Sequence, residues 1–186
     1  MTGRTAEQGV YYDRSDYCGV TRRLTVDVID VVAAFVLWFI ACTVFDVFKP
    51  EFAWTFDAFV LSLLLIWFIY FVILKASPLR TLGYRVGRVK AVDLHGGSPG
   101  FLAHCLRFLF TVLGPVNFLI DLLWLSTDPH GQTIRDKLAH IYVVRLDAKP
   151  RGVGAVVYRN YHILGYTFIF REVQPTSARP LTTGLS

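Results

Sequence analysis

The chain has 186 residues, with 19 Lys and Arg against 14 Asp and Glu, giving a net charge of +5 at pH 7. Apolar residues make up 54% of it and the mean hydropathy is +0.46, which leaves too little polar surface for an ordinary soluble domain of this length. Cys18, Cys42 and Cys105 are widely scattered and the five histidines show no ligand spacing, so no disulfide framework, metal cluster or cofactor is expected.

Residues 1–23 are polar and of mixed charge, without the apolar core of a secretory signal. "RRLTVDVID" then runs into "VVAAFVLWFIACTVF", whose fifteen residues from Val31 to Phe45 reach only roughly 22 Å as a helix. The hydrocarbon core is ~30 Å thick. A start near Leu24 lengthens the helix to about 33 Å and draws Asp27 and Asp30 below the headgroups. The first span is therefore placed at 24–45, with Lys49-Pro50 as the turn beyond it and Trp54 as an interfacial anchor.

The second span is read at 54–74. The loop after it carries Lys75, Arg80, Arg85, Arg88 and Lys90 against Asp93, whereas the first loop holds Asp46, Glu51 and Asp57 against Lys49. This polarity puts the amino terminus and the 75–100 loop in the cytoplasm of a cytoplasmic (inner) membrane. The third apolar region, 101–125, is broken by Gly114-Pro115, since proline removes a helical hydrogen bond. Each half would span roughly 16–20 Å. The residues that follow are again basic, so a re-entrant hairpin is favoured over a straight crossing. "GRVKAVDLHGG" and "HIYVVRLD" read as two strands that need each other to be stable, and pairing requires both on one side of the membrane. Residues 148–173 form a β-rich extension, read as a hairpin of Val153–Tyr158 and His162–Glu172 in preference to a poor fourth span because of Arg159, His162 and the glycines, and 174–186 a disordered tail. The expected fold is an α-helical integral membrane protein of three apolar helical regions with a small cytoplasmic β-sheet.

"GVTRRLTVDVID", "RTLGYRVGRVKAVDLHGGSPG", "LRFLF" and "STDPHGQTIRDKLAHIYVV" follow one another in the order of the RDD family. The chain resembles that family of small bacterial membrane proteins, named for an arginine and two aspartates, from about Tyr17 to Asp147. The resemblance carries the arginine onto Arg23, the first aspartate onto Asp30 and the second onto Asp136, with Arg107 and Asp128-Pro129 as further family positions. Tyr84 stands where the pattern usually has lysine, Arg135 where it has histidine, and His140-Ile141 where it has Gly-Thr. Some members are linked to cation–proton exchange, so the resemblance implies Na⁺, Li⁺ or H⁺ as a candidate cargo.

Arg23, Asp27 and Asp30 share one helix face at spacings of four and three, which lets Arg23 and Asp27 pair. Two readings follow. The trio of Arg23, Asp30 and Asp136 converges as a structural charge cluster that fixes helix depth and ties the strands to the bundle. Alternatively Asp30, the deepest acid, is a proton or cation site, with Arg23 or Arg107 neutralising it when empty. Asp121 reads as an interfacial acid. A third reading is a non-catalytic anchor or assembly module that forms homo-oligomers or binds other membrane proteins. No catalytic arrangement, HExxH or P-loop is present, so no enzyme is expected. The basic loop suits the lipid bilayer surface and not nucleic acid.

Overall fold

The computed structural model describes residues 7–113, 120–121, 123–126, 128, 130–163 and 166–175. The first helix, α1 (Val20–Phe48), runs for 29 residues, about 43 Å. It begins four residues before the expected start, because the chain turns from extended to helical at Gly19, and so it takes Arg22 and Arg23 into its first turn. Its buried residues are Arg23, Val26, Asp30 and Ala34, one stripe at spacings of three and four. Val28, Val32, Phe35, Val36, Phe39 and Ile40 are exposed around the rest.

A tight connection through Lys49-Pro50 leads to α2 (Phe56–Phe68), which Thr55 opens by accepting a hydrogen bond from the Ala58 N–H at 3.3 Å. The helix continues through a π-helical stretch, Ile69–Leu74. Only 11% and 17% of the apolar windows of these two helices are buried, so neither is the core of a soluble fold. Both are long and apolar enough to cross a membrane. They pack through Trp38, whose indole N–H donates to Ser62 Oγ at 2.9 Å and whose ring meets Phe59 edge-on. At the far end Trp54 donates to Asp46 at 2.5 Å.

Among the described residues the chain then forms three shorter helices and a further helical stretch. The first is α3 (Leu82–Val86), laid across the start of α1. The second is α4 (Phe101–Val112), at about 18 Å too short for a ~30 Å core. The chain is helical again at 120–121 and 123–126. The Gly114-Pro115 break expected between these halves, and the tail from 176 onward, lie outside the described residues. The last is α5 (Ile134–Leu138).

Two sheets stack on the helices. In the first, β2 (Val89–Val92) pairs antiparallel with β3 (Tyr142–Arg145), from Val89 opposite Arg145 to Val92 opposite Tyr142. The loop after α2 and the segment after the third apolar region therefore lie on the same side of any bilayer that α1 and α2 cross. Strand β3 is buried on both faces. Val143, with Ile141 just before the strand, packs with Val26, Tyr84 and Cys18, while Tyr142 and Val144 pack with Tyr12, Leu94 and Val173.

The second sheet has the order β1–β4–β5, from β1 (Gln8–Tyr11), β4 (Gly152–Ile163) and β5 (Tyr166–Pro175). The hairpin is longer than the alternation suggested, and β1 was not anticipated at all. Four residues of a polar segment became a strand because β4 offered an open edge, with Gly9 opposite Gly154.

Candidate functional site

Where α1, α4 and α5 meet the first sheet, four cations face four carboxylates. The centre is Asp136, fully buried on α5. Thr133 accepts from the Asp136 N–H at 3.2 Å and Asp136 Oδ2 accepts from the Thr133 N–H at 3.3 Å, so the aspartate closes a capping box. The same carboxylate pairs with Arg23 of α1 through Oδ2 and with Arg107 of α4 through Oδ1, the latter at 3.0 Å. One side chain thus caps a helix and bridges two others.

Asp30 has a shell of its own. It accepts from Tyr70 Oη at 3.0 Å, Thr81 Oγ1 at 2.8 Å, the Gly83 N–H at 2.7 Å and Lys75 Nζ at 3.4 Å. Gly83 is required here, because a β-carbon would sit 2.6 Å from Asp30 Oδ1 and clash with the carbonyl of Val26. The carboxylate of α1 therefore holds the end of α2 and the start of α3. The third group is Arg135, which donates to Asp27 at 2.8 Å, reaches Asp121 at 3.0 Å and donates to Thr111 at 3.1 Å. Asp121 also accepts from the Ile134 N–H at 3.0 Å.

These positions correct two expectations. Arg23 does not pair with Asp27 along α1; Asp27 turns to Arg135, and Arg23 to Asp136. Nor do Arg23, Asp30 and Asp136 form one cluster: the first and last touch, while Asp30 stands apart with Lys75 as its cation. Arg107 serves Asp136 rather than Asp30. Spacing along α1 could not reveal this, because the partners come from the end of α2 and from α3, α4 and α5.

Sequence reasoning missed a second buried cluster beside the first. Lys137 Nζ meets Asp128 Oδ1 at 2.7 Å and Glu172, with Gln132 Oε1 and Tyr161 Oη each at 3.3 Å. Tyr161 Oη also donates to Glu172 at 2.5 Å. Burial alone would depress the Lys137 ammonium, but Asp128 and Glu172 outweigh it and hold its pKa above the ordinary value. Burial likewise raises Glu172, and its hydrogen bonds from Lys137 and Tyr161 bring it below the usual carboxylate range. The available signal was a lone acid among the apolar residues of β5. Among the described residues no group of three or more His, Cys, Asp or Glu could hold a metal ion.

The model of the RDD family matches residues 17–140, which is 124 of the 186 residues. The chain belongs to the RDD family. That match takes in Arg23, Asp30, Arg107, Asp128, Asp136 and Lys137, and it leaves out β1, β4 and β5 with Glu172 and Tyr161. No curated protein and no solved structure matches the chain. Tyr84 lies under Lys75, whose Nζ is 4.3 Å from the ring centroid, and accepts from Arg107 at 3.3 Å. His140 adopts φ +55°.

Proposed function

We propose that this RDD protein is a non-catalytic, multi-pass anchor and assembly module of the cytoplasmic membrane, with its Arg–Asp network acting as a structural lock. The observation that carries the reading is saturation. Asp30 and Asp136 are fully buried; Asp30 already holds four donors, Asp136 holds the Thr133 N–H and Arg23 on Oδ2 and an ion pair to Arg107 on Oδ1, and the four nearby cations balance the four carboxylates. A carboxylate whose oxygens already face donors and cations leaves little room to coordinate a further monovalent cation. The amino terminus and both sheets lie in the cytoplasm on this reading, supported by the basic 75–100 loop. The third region re-enters on the same side, supported by the β2–β3 pairing and the short α4. The partner is a second copy of the chain or the cytoplasmic part of another membrane protein, met by the exposed Tyr158, Tyr166, Phe168 and Ile169 of the hairpin.

One observation favours the second reading, exchange of Na⁺ or Li⁺ for H⁺ at Asp30. Lys75, its cation, also lines a cavity open beside the end of α2, so the ion pair of the carboxylate borders that cavity. Sealed proteoliposomes of controlled orientation separate the two. The lock predicts no cation-driven proton flux in the wild type on adding Na⁺, Li⁺ or K⁺. A flux that is lost in Asp30→Asn makes the protein an exchanger and ends the anchor reading.

A further inference from the structure

The cavity that reaches Lys75 has chemistry of its own. It measures about 430 Å³ and lies directly after the last residue of α2, so in a membrane it sits at the depth of the headgroups. Lys75, Arg80 and Lys90 line it, no carboxylate does, and Ser77 and Ser98 supply hydroxyls. Lys75 is held in place by Asp30 and the ring of Tyr84. Lys90 spends one of its three donors on the carbonyl of Ala148 at 2.8 Å. The Arg80 guanidinium makes no hydrogen bond or ion pair among the described residues, although the residue is partly buried. Its backbone is left-handed, at φ +57°, a conformation that costs an arginine side chain free energy and persists only where the surroundings hold it.

Three cations around a cavity lined by no acid, two of them held in place and one with its whole fork of donors unspent, match a tetrahedral oxyanion. The volume exceeds that of a bare phosphate and includes apolar walls from Pro78, Val92 and Pro99. We infer that this cavity binds a phosphate group at the membrane surface, carried on the glycerol headgroup of an anionic phospholipid. The inference goes beyond the anchor reading and holds whether or not Asp30 moves a proton.

The test is titration of fluorescent phosphatidylglycerol into the full-length protein in neutral detergent. Arg80→Gln is the diagnostic variant, since Arg80 supports nothing else in the fold, and Arg22→Gln is the control, an exposed cation at the same membrane face. Removing a surface charge weakens binding by about fivefold; removing a guanidinium that grips the phosphate weakens it by at least about tenfold. The expected result is the larger loss in Arg80→Gln and the smaller in Arg22→Gln. Equal losses in the two variants, or none in either, would overturn the site. Inorganic phosphate is titrated separately, without lipid: binding far weaker than that of phosphatidylglycerol assigns the cavity to the headgroup, and phosphate binding as tight as the lipid's, with the same loss in Arg80→Gln, overturns the lipid in favour of the free anion.

Discussion

Asp136 and Lys137 are neighbours on a helix of five residues, yet each anchors a different cluster. Asp136 points into the helices, toward Arg23 and Arg107; Lys137 points toward the sheets, to Asp128, Glu172 and Tyr161. The first cluster is built entirely within the residues that match the RDD family. The second is completed by β4 and β5, which lie outside the match. The contrast shows how a short helix can serve as a hub. Its two faces fasten the RDD core on one side and the β-rich extension of this chain on the other.

The comparison breaks most easily at its centre. Asp136→Ala strands two buried arginines and removes the cap of α5, and should cost roughly 3–5 kcal/mol, enough to abolish a folded monodisperse peak in detergent chromatography. Glu172→Gln leaves Lys137 with Asp128 and should cost less, about 1–3 kcal/mol, with the helical core retained by circular dichroism. If the two variants lose the same stability, the clusters are one unit and the division drawn here is wrong.

The pH profile sharpens the second cluster. Glu172 is held below its ordinary value of 4.5, so its contribution is present above that pH and is lost as pH falls through the lowered value. Lys137 is held above 10.5, so its contribution is present below that pH and is lost as pH rises through the raised value. Melting temperature should be flat between these limits in respect of this pair, and Glu172→Gln should flatten the acid limb. The smallest effect is expected at the turn between α5 and β3. His140→Gly relieves a left-handed conformation at φ +55° and should stabilise the protein by about 1 kcal/mol, read as a rise in melting temperature.

The helices that could cross a membrane were legible because length and apolar run are local properties, and the β2–β3 pairing because two lone strands needed partners. Arg23, Asp30 and Asp136 were legible through the family pattern. Their partners were not, because Lys75, Thr81 and Gly83 reach Asp30 from 45 to 53 positions away, and Arg23 meets Asp136 across 113. Strand β1 escaped notice since its four residues carry little strand signal until the edge of β4 is there to pair with. Glu172 escaped because a single acid in a strand reads as solvent-facing until the opposite lysine is known.

The central claim is that Arg23 and Asp136 act as one lock between α1 and α5. A double-mutant cycle of Arg23→Met and Asp136→Asn, followed by denaturant titration in mixed micelles, tests it directly. The account predicts a coupling on the order of 2 kcal/mol, with the double variant less damaged than the two losses added together. Losses that add to within about 0.5 kcal/mol would show that the two charges stabilise the fold independently and would contradict it.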